Sequence, residues 1–413
     1  MLRIPPQLDN ARIRLSASTT SRVNACIKVR PSATLLGKRV SMFQLCGCTG
    51  LFLALVQSIM FVRQVQLSQV ILLEMIAIAV LTFLGLAMLT KVISGQEQLI
   101  YYHHEIAIMA MLALFLRLTR QPILPYLDIA ILGIGTFLIC GRVGCLMVGC
   151  CHGRPCACGV CYSHEHAANG FPSHFVGVRL FPIQAVESIF VLAIVVCGST
   201  LMLSGSPAGS AVAIYVLIYG IGRFCFEFAR GDRDRAYLWG FSEAQWTSLL
   251  IACVLVLAER VRPLPGHRWH WLIPALMFAS MAALAIAHRF DRTGKHALRH
   301  PHHLGEIISA LNHLKRSTNL AAPHCTSLSP ALVPVEQTSR GYRFSLGEAE
   351  SEGRSIRHYS VSKKDDSLSI TAAHVLARLI AQLEPGSGHC TILPGHAGVF
   401  HILFNAPTGS SPD

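Results

Sequence analysis

Residues 69–93 read QVILLEMIAIAVLTFLGLAMLTKVI, an apolar run that contains one acid, Glu74, and one base, Lys91. A helix rises about 1.5 Å per residue, so a run of this length crosses the roughly 30 Å hydrocarbon core of a bilayer. The run is therefore typical of a membrane-spanning helix.

Similar apolar runs lie on both sides of it. The sequence predicts spanning helices at 43–62, 69–93, 104–118, 122–140, 182–203, 208–228, 244–259 and 270–288. Only 14% of the chain is charged, whereas average soluble domains have about 25%. We therefore expect an all-α polytopic membrane protein with about seven to eight transmembrane helices, followed by a small C-terminal α+β soluble domain.

The polar ends divide the chain into three expected domains. Residues 1–41 form a basic tail without apolar periodicity, which favours disorder; a start at Met42 would remove it. The membrane domain is expected at 42–288. Residues 289–413 contain a His-rich linker and a soluble domain, with helical periodicity at 304–316 and 371–384 and a strand pair at 395–405.

The net charge of +13 comes from Lys and Arg residues that cluster at the ends of segments, as is common in membrane proteins. The sequence has no basic stripe interleaved with aromatic residues, so nucleic-acid binding is not indicated.

Residues 211–232, AVAIYVLIYGIGRFCFEFARGD, place polar side chains inside an apolar run. Tyr219, Arg223 and Glu227 are four residues apart and share a helix face, which Arg230 joins. A charged residue at mid-membrane costs roughly 2.5–3.5 kcal/mol. The pattern favours a polar internal site over an ion pair at the membrane surface. Glycines 220 and 222 would let a helix or ligand approach closely.

Residues 140–156, CGRVGCLMVGCCHGRPC, place Arg142 between Gly141 and Gly144. We expect these glycines to form a turn that exposes backbone N–H groups beside the guanidinium, a combination suited to phosphate. The alternative is an arginine that closes a helix at the membrane surface.

Two shorter motifs complete the set. LIYYHHEIAIM, residues 99–109, opens the third helix with His103, His104 and Glu105. A histidine at this boundary is a candidate general base or an ordinary interfacial residue. FPIQAVES, residues 181–188, opens the fifth helix with Gln184 and Glu187 on one face.

Together these motifs resemble the prolipoprotein diacylglyceryl transferase family. The family shows an aromatic-His pair, a GR-x-GN-x-x-NGE-x-x-G signature, a PSQLYE-like helix start and a YG-x-x-R-x-x-x-EF-x-R helix. Gln245 and Ser248 resemble its GQ-x-x-S start of the next helix. This chain carries Cys145, Val148 and Cys150 where the signature has Asn, Asn and Glu.

The resemblance implies transfer of a diacylglyceryl group from phosphatidylglycerol to the lipobox cysteine of prolipoproteins in the bacterial plasma (inner) membrane. Its implied partners are phosphatidylglycerol, prolipoprotein signal peptides and membrane lipid; no metal or other cofactor is expected. The implied catalytic residues are His103, Arg142 and Arg223. His104 would turn away from the site, toward lipid headgroups or a neighbouring carboxylate. The implied substrate-binding residues are Gly141, Gly144, Gln184, Glu187, Tyr219, Glu227 and Arg230.

A dense group of cysteines favours a second interpretation. Its members, beside His152, His164 and His166, are Cys145, Cys150, Cys151, Cys156, Cys158 and Cys161. Disulfides or plain packing are the interpretation we favour, because no paired CxxC knuckles occur; metal binding and redox catalysis are the alternatives. A metal- or thiol-handling membrane protein, an inactive transferase homologue and a transporter are therefore the competing functions.

Overall fold

The computed structural model describes most of the membrane region and the ordered elements of the C-terminal region. The described residues are 12–14, 28–35, 37–95, 101–232, 236–261, 264–290, 298, 300–320, 333–351, 354–364, 366–384 and 389–405. Much of the tail expected at 1–41 and part of the linker expected at 289–303 lie outside them.

Every apolar run predicted to span the membrane forms a helix. In chain order the helices are α1 (Met42–Gln64), α2 (Gln69–Ser94), α3 (Tyr101–Leu118), α4 (Ile123–Val148), the short α5 (His164–Ala168), α6 (Ile183–Leu203), α7 (Ser210–Phe226), α8 (Glu243–Arg260) and α9 (Leu272–Arg289). Within the described residues, six are long and apolar enough to cross a membrane, while α3 and α8 complete the bundle with 18 residues each. This is a multi-pass membrane protein, as the hydropathy predicts.

The central helix, α4, packs against α1, α3, α6 and α7. It was expected to end at residue 140 but continues to Val148, where Gly149 adopts a left-handed conformation with φ of 86°. The first part of the signature, from Gly141 to Val148, is therefore helical. The space beside Gly144 is filled by Phe43 and Cys46 of α1, because a small residue allows two helices to approach closely.

The N-terminal region begins with a short strand, β1 (Arg12–Arg14), and a hairpin of β2 (Ser32–Leu35) and β3 (Lys38–Ser41). The expectation of disorder is wrong for this hairpin. The hairpin leads directly into α1, because Ser41 ends β3 and its side chain accepts a hydrogen bond from the Phe43 amide as the N-cap of the helix.

The segment between α4 and α6 contains regular pieces. Strand β4 (Pro155–Cys161) pairs with β5 (Arg179–Leu180), and α5 lies between them. We call residues 150–181 the signature loop. A further short hairpin, β6 (Tyr237–Leu238) with β7 (Phe241–Ser242), precedes α8.

The C-terminal region is an α+β domain. Its elements are α10 (Pro301–Leu320), β8 (Val335–Gln337), β9 (Tyr342–Ser351), β10 (Arg354–Lys363), α11 (Ile370–Leu383), β11 (His389–Pro394) and β12 (Phe400–Asn405). The antiparallel sheet has the order β1-β11-β12-β10-β9-β8. Both predicted helices are confirmed, but 395–405 is not a strand pair: β12 pairs with β11 and β10, while 396–398 form a 3-10 turn.

This domain rests on the signature loop. Phe175, Val178 and Leu180 of the loop belong to the same buried apolar cluster as Ile307 and Leu311 of α10. The Asn312 amide donates a 2.7 Å hydrogen bond to the carbonyl of His174. At the other end of the chain, Arg39 lies 3.6 Å from Glu165 of the loop. The N-terminal hairpin, signature loop and C-terminal domain therefore lie on one side of the helix bundle.

Candidate active site in the helix bundle

Three helices bring an arginine, a carboxylate and a tyrosine together. Arg142 of α4 lies with its Nε 3.0 Å from Oε2 of Glu187 on α6. The Tyr219 hydroxyl of α7 donates a 2.9 Å hydrogen bond to the other oxygen, Oε1, of Glu187. All three residues are at most 6% exposed. Glu187 was expected to share a helix face with Gln184, and the structure adds its contact with Arg142.

A second group follows at the end of α7. Arg223 Nη1 and Glu227 Oε1 form an ion pair one helical turn apart, and both residues are buried. The helix ends at Phe226 and a 3-10 turn follows, so Arg230 leaves the helical stripe that the sequence predicted. Arg230 nevertheless stays 4.0 Å from Glu227 and makes two hydrogen bonds, of 2.9 and 3.0 Å, to Asp232.

The signature loop is tied to this group by its backbone. Gly153 forms a β-bridge with Arg230, and the Gly231 amide donates a 3.0 Å hydrogen bond to the His152 carbonyl. A side chain at Gly231 would meet the Gly153 carbonyl oxygen at 2.6 Å. From α6, the Gln184 amide donates a 2.8 Å hydrogen bond to the carbonyl of Cys150. Gln184 therefore positions the loop.

The glycines of the signature have a different role from the one expected. Gly141 and Gly144 lie inside α4, so their N–H groups belong to the helical hydrogen-bond ladder. The expectation of a turn with exposed amides is wrong. The space beside Gly141 is open, because a Cβ added there would have no atom of the described neighbouring residues within 4 Å.

Helix α3 turns Tyr102, not the histidines, toward the arginines. The Tyr102 hydroxyl lies 2.8 Å from Ser248 Oγ on α8, and its ring meets that of Tyr219 edge to face at 5.8 Å. His103 lies one residue further round the helix, where its Nε2 is 2.6 Å from Glu243 Oε1, and both side chains are about two-fifths exposed. Sequence reasoning missed Tyr102; its position one residue before the expected base was the available signal.

His104 lies inside the bundle and not among headgroups, which was one of its two expected surroundings. It is 5% exposed and packs against Phe83 of α2 with ring centroids 4.7 Å apart. Burial against α2 therefore makes the headgroup expectation wrong for this side chain.

The start of α8 packs beside the site and contacts the helices that form it. Ser242 and Gln245 form a reciprocal capping box, which satisfies backbone donors at the helix start. Gln245 also donates a 3.4 Å hydrogen bond to the carbonyl of Phe224 on α7. The pair Gln245 and Ser248 therefore links α8 to α7 and α3.

The cysteines separate into different groups. The Sγ atoms of Cys145, Cys150 and Cys151 lie within 4.8 Å of one another, and all are thiols. Cys161 lies elsewhere and donates to the Gly177 carbonyl at 3.7 Å; the Cys158 side chain is outside the described part of the chain. Hydrogen bonds from the Cys145 and Cys150 thiols, together with the charges of Arg230 and Arg142, lower the pKa of Cys151 despite its burial. The expected disulfides are absent from these three cysteines.

The ion pairs balance three cations against three carboxylates in a buried space. The cations are Arg142, Arg223 and Arg230, and the carboxylates are Glu187, Glu227 and Asp232. A guanidinium has five N–H donors in a planar fork, so a carboxylate contact leaves capacity for a phosphate oxygen. In a medium of low dielectric, such fixed charges interact strongly with charge that develops on a leaving group.

Comparison with known proteins finds a matching family and several relatives. The family model for prolipoprotein diacylglyceryl transferase matches residues 31–259. A phosphatidylglycerol–prolipoprotein diacylglyceryl transferase 2 of Clostridium perfringens (strain 13 / Type A) is 30% identical over 151 residues, 35% of this chain and 55% of that protein. A phosphatidylglycerol–prolipoprotein diacylglyceryl transferase of Dehalococcoides mccartyi (strain BAV1) is 33% identical over 132 residues, 32% and 48% of the two chains.

The chain spans about half the length of the curated relatives it matches. The family match nevertheless extends from the N-terminal hairpin to α8, more than half of the 413 residues, and includes all of the buried ion-pair network. By this match, the chain belongs to the prolipoprotein diacylglyceryl transferase family.

Proposed function

We propose that this protein transfers a diacylglyceryl group from phosphatidylglycerol to the lipobox cysteine thiol of prolipoproteins, in the inner membrane of a bacterium. The observation that carries the proposal is the buried network of Arg142, Arg223 and Arg230 with their carboxylates. Its position inside the bundle suits a lipid substrate whose headgroup phosphate must enter from the bilayer. Residues 42–288 form the transferase unit in this proposal.

The reaction exchanges one bond for another at a glycerol carbon of the lipid. The cysteine sulfur forms a C–S bond while the C–O bond to phosphate breaks, and glycerol phosphate leaves with the electron pair. Arg142 and Arg223 stabilise the negative charge on the departing phosphate oxygens. Glu187 and Glu227 hold the two guanidinium groups in place, and Tyr219 fixes Glu187.

The attacking thiol must lose its proton, because the thiolate is the nucleophile. His103 is the proposed base for a thiol that approaches from outside the bundle, because its side chain is about two-fifths exposed and does not point toward the arginines. Glu243 orients its ring through the 2.6 Å contact. The remaining proposed binding residues act around this centre. Gln184 and Arg230 hold the signature loop, and the open space beside Gly141 accommodates substrate.

The test is complementation of a strain depleted of its own diacylglyceryl transferase. We expect the full chain to restore growth and lipid labelling of a reporter prolipoprotein. Arg142→Ala and Arg223→Ala should each lower labelling by at least about 100-fold, which is the usual scale for removing one electrostatic stabiliser. Membrane fractions should still contain both variants.

Arg117→Ala is the matched control, because Arg117 is an exposed arginine at the opposite end of α3. It should label like the unaltered chain. Full labelling by either site variant would contradict the phosphate role. Failure of the inserted, unaltered chain to label any prolipoprotein would instead identify an inactive homologue, with Cys145, Val148 and Cys150 as the altered signature positions.

A further inference from the structure

The three clustered thiols come together because the chain reverses direction at the end of α4. Cys145 lies in the last turn of the helix, and Gly149 ends it in a left-handed conformation. Cys151 is also left-handed, with φ of 54°. A residue with a side chain rarely adopts this conformation, because its Cβ atom crowds the neighbouring backbone. The surrounding contacts thus hold Cys151 in a strained position that turns its sulfur back toward Cys145.

The spacing of the sulfurs matches that of a metal site. Zinc–thiolate bonds are about 2.3 Å long, so sulfurs around one ion are roughly 3.8–4.0 Å apart in tetrahedral or trigonal geometry. The three Sγ atoms are already within 4.8 Å of one another. Side-chain rotations that move each sulfur by about 1 Å or less would bring the three sulfurs to these distances.

Two buried guanidiniums flank the cluster. Arg142 lies about one helical turn before Cys145 on α4, and Arg230 forms a β-bridge with Gly153, two residues after Cys151. Three thiolates with a divalent cation have a net charge of −1, and with a monovalent cation −2; either is opposite in sign to the neighbouring guanidiniums. Binding releases the thiol protons to solvent, because thiolates are the ligands.

The ligand atoms that gather here are sulfurs alone. Among the described residues, the group whose ligand atoms all lie within 4.8 Å of one another consists of Cys145, Cys150 and Cys151. Both ring nitrogens of the nearby His166 are hydrogen-bonded, Nδ1 with Ser163 and Nε2 with Met147. Sulfur ligands select thiophilic ions such as Zn²⁺ and Cu⁺ over Mg²⁺ or Ca²⁺.

We infer that Cys145, Cys150 and Cys151 form a three-thiolate site for a thiophilic d¹⁰ cation, Zn²⁺ or Cu⁺. The sequence favoured disulfides or packing because it contains no paired CxxC knuckles. The bound ion clamps the end of α4, which carries Arg142, to the part of the signature loop that pairs with Arg230. This inference does not depend on the proposed transfer reaction.

The test uses the full chain, purified in detergent with a phosphine reductant. Samples are loaded with ZnCl₂ or with chelator-buffered Cu⁺, freed of excess metal and measured by elemental analysis. We expect about one ion per chain from one of the two metals, and the arm that loads identifies the ion. Loading with Co²⁺ should give sulfur-to-cobalt charge-transfer absorption.

Cys150→Ser is the principal variant, because Cys150 is exposed and its substitution spares the helix core. It should lower bound metal at least 10-fold and abolish the cobalt absorption. Cys151→Ser should do the same. Cys161→Ser is the matched control: Cys161 is also exposed and lies in the same loop, and this variant should load like the unaltered chain.

Three outcomes overturn the site. They are unchanged metal binding in Cys150→Ser, equal loss in Cys161→Ser, and failure of the reduced chain to load either metal. In the last case thiol counting of protein purified without reductant shows whether a disulfide takes the place of the ion. Lipid labelling measured in parallel separates this result from the proposed function.

Discussion

Each buried arginine of the site has a carboxylate whose loss would leave a charge in a medium of low dielectric. Removing one partner of a buried ion pair typically costs about 3–5 kcal/mol. We expect the loss of Glu187 to be the most costly, because it contacts both Arg142 and Tyr219. Its position on a helix was predictable from sequence; its partner was not, because Arg142 is on another helix and only the packing of α4 against α6 joins them.

A prediction at this scale separates the two neighbouring histidines. We expect His103→Gln to lower lipid transfer by about 100-fold or more, since a general base contributes roughly 10²–10⁴-fold. His104→Gln places an amide against Phe83, so it should lower the melting temperature while transfer per folded molecule changes little. Transfer of labelled lipid, measured across pH and normalised to folded protein, checks both.

His104→Gln also serves as the control for placing an amide at this helix start. Full activity of His103→Gln across pH would show that the thiol proton leaves by another route. Loss of turnover in His104→Gln alone would mean that α3 is rotated by one residue relative to its neighbours.

At the scale of elements, α6 and α7 meet where α7 has no side chain. An added Cβ at Gly222 would lie 2.2 Å from Cε1 of Phe190, whereas one at Gly220 would meet the Ser248 carbonyl oxygen at 3.9 Å. The sequence predicted close approach at both glycines, and the structure places the tight contact at Gly222. This contact sets the distance between the helix that carries Tyr219 and the helix that carries Glu187.

We therefore expect Gly222→Ala to destabilise the bundle by about 1–3 kcal/mol, the usual range for overpacking. It should also lower transfer, because α7 must shift away from α6. Gly220→Ala is the matched control and should behave like the unaltered chain. Thermal unfolding in detergent and lipid labelling are the measurements. Equal melting temperatures for the two variants would contradict the close contact.

Hydropathy predicted the helices well because lipid requires every backbone group to bond within its own segment, which leaves helices as the spanning form. It did not predict the end of α4. Glycines such as Gly141 and Gly144 are common in turns, and the close packing of α1 against Gly144 is a tertiary contact that the local sequence does not reveal. The hairpin of β9 and β10 was missed for a related reason, since its register depends on tertiary pairing.

At the scale of the whole molecule, the C-terminal domain is held together around one buried carboxylate. Glu384 is 5% exposed and contacts Lys315 at 2.8 Å and Arg357 at 2.5 Å; the Tyr359 hydroxyl also donates to it. Burial acts to raise the pKa of Glu384, but Lys315, Tyr359 and Arg357 outweigh it and lower that pKa. These contacts join α10, the sheet and the end of α11.

The lowered pKa gives a direction for the pH dependence of stability. A carboxyl whose pKa is lower in the folded state stabilises the fold above its unfolded pKa of about 4.3 and loses this contribution as pH falls through the folded value. We expect the domain to unfold more readily below pH of about 4. Glu384→Gln should remove about 1–3 kcal/mol at neutral pH and flatten the acid dependence.

The measurement is thermal unfolding of the full chain at a series of pH values from neutral to acidic. Hydrogen exchange in α10 and α11 reports the unfolding of this domain. Glu348→Gln is the control, because Glu348 also contacts Arg357 but is exposed. It should leave the profile unchanged. An unaltered acid profile in Glu384→Gln would show that other groups set the dependence.

The contact between this domain and the signature loop also limits how the protein can change over evolutionary time. Phe175 and Leu180 of the loop pack into the same cluster as Ile307 and Leu311, so a change of volume on one side needs a matching change on the other. We therefore expect substitutions in the two parts to be correlated. In a chimera that joined this loop to an unrelated C-terminal domain, the apolar side chains of Phe175 and Leu180 would lose their partners and be exposed to water, and we expect selection against such a chimera.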